Sequence, residues 1–276
     1  MNILDQIIAD KKIEVEHRRK ERPLEELKEQ LPLLDRCRNF YKAVTKRNER
    51  GINVIAERKK ASPSAGVICR DFAPVTIAKT YEKCGADAIS ILTDERYFQG
   101  KLEYIEQVKH AVDLPVLRKD FIIDVWQVYE SRIAGADAIL LIAEALRPGD
   151  LIDLMIAAAD LTLTVLLEVH DADTLLAVRS MIGFPRKGYS VLGINNRDLT
   201  TMKVDLNTTI RLAELARCDA VASRQAGSIN GLVAESGIKT KADVEKMKKA
   251  GVTAVLVGQV LCENENIAEK FKELFE

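Results

Sequence analysis

Short apolar runs recur along the chain at 53–57, 88–92, 115–118, 138–142, 164–169, 191–195, 231–234 and 254–257. They have the length and β-branching of strands buried on both faces. Between most of them apolar residues return at helical spacing, and successive strand ends lie mostly about 22 to 40 residues apart. Two of the joints are nearly identical, Gly85-Ala86-Asp87-Ala88-Ile89 and Gly135-Ala136-Asp137-Ala138-Ile139, and Ala250-Gly251-Val252-Thr253 is a looser copy. Glycine just past a helix end, then a tight turn into a strand, is the loop chemistry such a joint requires. Eight strands each followed by a helix predict an α/β fold, a closed (β/α)8 TIM barrel. A doubly wound open sheet is the second choice, weakened because no GxGxxG follows the first strand.

Residues 1–50 carry a different pattern. Ile3, Leu4, Ile7 and Ile8 recur at helical spacing, Pro23 and Pro32 punctuate the run, and Phe40 to Val44 begins another short helix. The basic cluster His17-Arg18-Arg19-Lys20 is interleaved with Glu14, Glu16, Glu21, Glu25 and Glu26, which reads as a solvated helix face. The chain is therefore expected to be one barrel domain over 1–276. Residues 1–50 would form a helical extension that covers one end of the barrel or contributes to the site.

Composition narrows the partners. Hydrophobic residues make up 47% of the 276, enough for a sizeable core, while 41 Lys and Arg against 42 Asp and Glu leave a net charge of −1. Such a balance gives no general attraction to nucleic acid or membrane, so any anion site must be local. Cys37, Cys69, Cys84, Cys218 and Cys262 are odd in number and form no CxxC, which argues against a disulfide framework or structural zinc. Cys84 and Cys218 fall in helical patterns and read as small buried residues. No apolar run reaches the roughly 18 residues of a spanning helix. The expectation is a soluble protein of the cytoplasm, or of an organelle stroma after loss of a targeting segment. It would be a monomer or weak homo-oligomer that binds a small molecule, not nucleic acid or a membrane.

In a barrel of this kind, polar residues at the C-terminal ends of the strands converge at one mouth. They are Glu57 and Lys59 after the first strand, Asp94 and Glu95 after the second, Lys119 and Asp120 at the third, and Glu168 at the fifth. Asn195 and Arg197 follow the sixth, Glu235 and Ser236 the seventh, and Gly258 the eighth. A lysine among apolar walls and other cations can have its pKa lowered, so Lys119 is expected to serve as an acid. Glu168 closes Val165-Leu166-Leu167, an apolar run that suits a general base. His170 reads as a loop histidine rather than a catalyst. Small residues at Ser236-Gly237 and Gly258 would let backbone N–H groups approach a phosphate.

Ile55 to Ser64, Leu92 to Gly100, Leu117 to Phe121, Leu167 to His170, Gly193 to Leu199 and Ala234 to Ile238 resemble, in that order, motifs of the indole-3-glycerol-phosphate synthase family. The resemblance covers nearly the whole chain, the N-terminal helical segment included. It implies a tryptophan-biosynthesis enzyme that needs no metal or organic cofactor. Such an enzyme closes the indole ring of 1-(2-carboxyphenylamino)-1-deoxyribulose 5-phosphate with loss of carbon dioxide and water. By the same resemblance Lys119 is the general acid, Glu168 the general base, and Lys59 a substrate-binding group and proton source for dehydration. Glu57 and Asn195 orient these groups, while Ser62 and Arg197 contact substrate. Phe98 and Phe121 lie near the anthranilate ring, and Ser236, Gly237 and Gly258, with Lys59, hold the phosphate.

Two departures stand out. Gln259-Val260-Leu261-Cys262 replaces the more usual Glu-Ser-Leu-Met of the family, which puts any side-chain contribution there in doubt. The segment Cys218 to Asn230 reads as an irregular insertion around Ala222 to Gly227, expected to be mobile rather than functional. A phosphoribosylanthranilate isomerase-like barrel gives no reason for both Lys59 and Lys119. A barrel kept only to bind phosphate would be expected to lack one of Lys59, Lys119 or Glu168, and all three stand.

Overall fold

The eight strands close on themselves. In the computed structural model they are β1 (Asn53–Arg58), β2 (Ala88–Leu92), β3 (Val116–Lys119), β4 (Ala138–Ile142), β5 (Thr164–Val169), β6 (Ser190–Asn195), β7 (Leu232–Glu235) and β8 (Ala254–Val257). All pair in parallel, and β1 bonds to both β2 and β8. The open-sheet alternative is thereby excluded. The structure describes residues 3–63, 66–67, 72–179, 188–198, 201–222, 231–264 and 266–276.

Alternation along each strand sorts the side chains into two cores. Residues facing outward, such as Val54, Ala56, Val116, Val165 and Leu167, pack against the surrounding helices. Those facing inward, among them Ile55, Leu117, Leu166 and Val233, fill the barrel together with Leu140, Val191 and Leu256. Two of the strands begin and end one residue later than the apolar runs. Lys119 and Glu235 are accordingly the last residues of β3 and β7, each two positions beyond an inward Leu117 or Val233. Period two thus puts both on the inner face, at the mouth.

Residues 1–50 do both things expected of them. Helix α3 (Phe40–Thr45) sets Phe40, Tyr41 and Val44 against the inward residues and plugs the N-terminal end of the barrel. Helix α1 (Ile3–Glu21) crosses the opposite end, where Ile3, Leu4 and Ile7 line the mouth. Val15 of α1, Leu27 of α2 (Leu24–Gln30) and Trp126 form a small core against the barrel helices, and the indole Nε1–H donates to the Arg22 carbonyl at 2.8 Å. Deeper still, the fully buried Lys11 Nζ lies 2.9 Å from Asp94 and 3.1 Å from Asp120. Asp120 is also paired with Arg118, which in turn reaches Glu130. Burial opposes the charge on Asp120, but Arg118 and Lys11 hold its carboxyl well below the usual range.

The repeated joints have a shared purpose. Gly85, Gly135 and Gly251 are left-handed, with φ of +83°, +89° and +73°, a conformation glycine adopts without strain. Two residues later, Asp87 accepts the Val54 N–H of β1 at 2.9 Å and Asp137 accepts the Val116 N–H of β3 at 2.8 Å. Thr253 does the same for the Leu232 N–H of β7 at 3.0 Å and donates back to its carbonyl. Cations complete the aspartates: Arg50 and Lys46 on Asp87, Lys109 on Asp137. Cys84 is half-buried at the end of its helix rather than buried. The supposed insertion is in part regular, since a helix runs Asn207–Ala222 and takes in 218–222. Residues 223–230 of that segment, Cys69 and the Cys218 side chain lie outside the described residues.

Candidate active site

Four side chains of the odd-numbered strands meet in one layer above the apolar interior: Glu57, Lys119, Glu168 and Glu235. Each stands two residues past an inward Ile55, Leu117, Leu166 or Val233. Contributions from alternate strands to one layer are what barrel closure dictates. Lys119 Nζ lies 2.7 Å from Glu235 Oε2 and 3.3 Å from Glu168 Oε2. Lys59 Nζ lies 2.7 Å from Glu57 Oε1. Asn195 Nδ2 donates to Glu168 Oε1 at 3.1 Å, and its Oδ1 accepts the Arg197 N–H at 3.0 Å.

The even strands make room. At Gly193 a Cβ would lie 2.5 Å from Glu235 Oε1, and at Gly258 one would lie 2.8 Å from Glu57 Oε1. At Gly193 the close atom is the tip of Glu235, whereas at Gly258 the contact extends to the Glu57 Cβ at 3.0 Å, so Gly258 is the tighter constraint and one that strand spacing alone does not announce. Phe98 and Phe121 face one another across the entrance with ring centroids 6.1 Å apart. Ser236 and Gly237 are both left-handed, with φ of +64° and +83°. For serine that conformation costs roughly 1–2 kcal/mol, which the surrounding fold must offset. Gly258 precedes the short helix Gln259–Cys262, and the Gln259 amide turns to Glu263 at 2.7 Å. Glu57, Lys59, Phe98, Lys119, Phe121, Glu168, Asn195, Arg197, Glu235, Ser236, Gly237, Gly258 and Gln259 line one cavity with Ile3, Leu4 and Ile7 of α1. Ser62 belongs to a short hairpin, Ala61–Ser62 with Gly66–Val67, and its side chain lies outside the described residues.

Charge corrects one expectation. Lys119 was expected to have a lowered pKa; burial does press that way, but Glu235, Glu168 and Glu57 outweigh it and raise Lys119 well above the ordinary lysine range. The neighbouring cations that would have lowered it are fewer than the carboxylates. Lys119 is therefore cationic throughout the working range. Burial also works against Glu57, yet Lys59 and Lys119 keep its carboxyl below the usual value. Glu168 and Glu235 both contact the Lys119 ammonium, so their titrations are linked. Lys119, His170 and Asn195 favour ionisation of Glu168, while burial and the like charge of Glu168 push Glu235 up.

Sequence reasoning named Lys59, Lys119, Glu57, Glu168, Asn195, Arg197, Phe98, Phe121, Ser236, Gly237 and Gly258, and the structure brings these together. It left Glu235 as one more strand-end acid, although the period-two rule that selects Glu168 selects it equally. His170 is in the loop after β5 as expected, but it touches Glu168, with Nε2 3.3 Å from Oε1. Among the described residues no group of three His, Cys, Asp or Glu is arranged to hold a metal. No helix there is long and apolar enough to cross a membrane.

Solved structures share the architecture at low identity. 3-Hexulose-6-phosphate synthase superposes with a TM-score of 0.60 at 17% identity, over 81% of this chain and 98% of that one. Thiamine phosphate pyrophosphorylase from Pyrococcus furiosus gives 0.55 at 18%, over 82% and 96%. Both attest the barrel alone. Sequence relatives say more. An indole-3-glycerol phosphate synthase from Geobacillus kaustophilus (strain HTA426) is 46% identical over 273 residues, 99% of this chain and 96% of its own. One from Chlorobium chlorochromatii (strain CaD3) is 43% identical over 261 residues, 95% of each. With the model for indole-3-glycerol phosphate synthase matched over residues 4–274, the chain belongs to that family.

Proposed function

We propose that this chain converts 1-(2-carboxyphenylamino)-1-deoxyribulose 5-phosphate to indole-3-glycerol phosphate, carbon dioxide and water. The observation that carries the reading is the Lys119 ammonium, which stands between two carboxylates at the centre of a mouth walled by aromatic rings. The aryl carbon bearing the carboxylate attacks the ketone carbon, and Lys119 gives its proton to the ketone oxygen as the carbon–carbon bond forms. Its high proton affinity suits an acid that stabilises a developing oxyanion by charge before it protonates it. Carbon dioxide then leaves, and the electrons of its bond restore the aromatic ring. The new hydroxyl departs as water with a proton from Lys59, while Glu168 takes the proton from the carbon beside the nitrogen.

The remaining residues place the substrate. Phe98 and Phe121 hold the aryl ring and exclude water. Arg197 and Ser62 contact the polar substituents, and Glu57 and Asn195 orient Lys59 and Glu168. Backbone N–H groups at Ser236, Gly237 and Gly258 receive the phosphate together with Lys59. Glu235 keeps Lys119 aimed at the ketone. The test is to mix the protein with the substrate in chelator, without added cofactor, and follow indole fluorescence. A steady rise supports the reading; a flat trace from folded protein that binds the substrate overturns it.

A further inference from the structure

His170 sits between two carboxylates. Its Nδ1 is 3.0 Å from Glu144 Oε2, in the turn after β4, and its Nε2 is 3.3 Å from Glu168 Oε1. Glu144 also accepts the His170 backbone N–H through its other oxygen at 2.7 Å, so the ring is clamped whatever Glu168 does. The imidazole side chain is only 10% exposed. Its Nε2 is buried and makes no hydrogen bond in the described residues, although it faces Glu168.

A neutral imidazole carries one N–H. If Nδ1 spends it on Glu144, a bare lone pair is turned toward the Glu168 carboxylate; only the imidazolium presents a donor to both. The groups that face His170 are Glu144, Glu168 and, further off, Glu235; Glu168 itself is faced by Lys119, Asn195, Glu235 and Glu57. Burial works against the charge of His170, but the hydrogen bond to Glu144 and the three carboxylates raise it above its ordinary value. Glu168 thus meets Lys119 of β3 on one oxygen and His170 of the loop after β5 on the other.

We infer that His170 is a positioning residue, clamped by Glu144 against Glu168, which biases the buried acids so that a proton they take up lodges on Glu235 and Glu168 stays free to act as base. The inference rests on Glu168 being that base. Without His170, Lys119 lies nearer Glu235 than Glu168, and only the Asn195 amide still favours the charge on Glu168 over its neighbour. The proton then passes to Glu168 in part of the population, and that part is inactive. One pH unit of lost bias corresponds to a tenfold change, about what an opposite charge at this distance supplies.

The experiment compares turnover against pH for the wild type, His170→Asn, His170→Lys and Glu168→Gln. Asn keeps an amide N–H for Glu144 but reaches no further; Lys restores a cation. The expected result is that H170N melts like the wild type and loses about tenfold in kcat near neutral pH, with KM little changed. The deficit should close as rising pH strips the shared proton from the pair, and H170K should recover most of the neutral-pH rate. A loss in H170N that is constant across pH would make His170 a mere loop anchor and overturn the inference, as would an unaltered rate. A Glu168→Gln variant that keeps turnover would instead remove Glu168 as the base. That outcome strikes the functional reading itself, whereas an inactive E168Q beside a pH-independent H170N strikes the role of His170 alone.

Discussion

Both ends of the barrel bury carboxylates, and they treat them in opposite ways. At the N-terminal end Asp137 is fully buried, yet it receives the backbone N–H groups of Arg38 and Val116 and the ammonium of Lys109. Asp87 is served in the same manner by the Val54 N–H, Arg50 and Lys46. At the mouth, Glu57, Glu168 and Glu235 are equally buried but share two lysines, and among the described residues Glu57 Oε2 and Glu235 Oε1 have no hydrogen-bond partner. A buried acid that collects backbone donors ties strand to strand and stiffens the closure of the barrel. A buried acid that lacks them has its charge set by the few side chains around it, and a substrate that enters can change that balance and exchange a proton with it. The comparison teaches where the fold stores stability and where it gives some up.

The contrast can be pressed from either side. The largest effect on stability belongs to the closed end: Asp137→Ala strands a lysine and two N–H groups and should cost about 3–5 kcal/mol. Denaturant titration measures this, and kcat of the folded fraction should stay within about twofold. If stability falls little, the two ends are not different in kind. At the mouth, Glu235→Gln should lower kcat by about 10- to 100-fold, because Lys119 loses its closest partner. Its effect on stability has a sign fixed by linkage. Burial and Glu168 raise Glu235 above the ordinary carboxyl range. The stability its bound proton contributes is therefore complete below that range and lost as pH rises through the raised value. The variant should escape that loss, so its urea midpoint should fall less than the wild type's between about pH 5 and 9. A steeper fall in E235Q would reject the assignment. The smallest effect is expected from Thr253→Val, which removes two hydrogen bonds to Leu232 and should cost roughly 1–2 kcal/mol without touching catalysis.

Much of this was readable in advance because both cores obey simple periods. Alternation of apolar residues in eight runs, with glycine before each repeated joint, is enough to place a strand and its face. From there Glu57, Lys119 and Glu168 follow as charges at strand ends. The duplicated Gly-Ala-Asp joints were legible as turns, but not as sites where an aspartate stitches neighbouring strands. That requires knowing which strand lies beside which. Glu235 was passed over because it looks like Glu168 in sequence, and only the closure of β7 against the others sets it on Lys119. The charge state of Lys119 was misjudged for the same reason, since three carboxylates reach it from strands up to 116 residues away. His170 gave no signal of its own. Its meaning depends on Glu144, contributed by another strand.

The direct test of the central claim is the turnover of Lys119→Met, read by indole fluorescence beside its thermal melt. The account predicts a loss of at least about a thousandfold from a protein that melts near the wild-type temperature, since the mouth is not where the fold keeps its stability. Turnover close to wild type would contradict it, and so would a collapse of the fold.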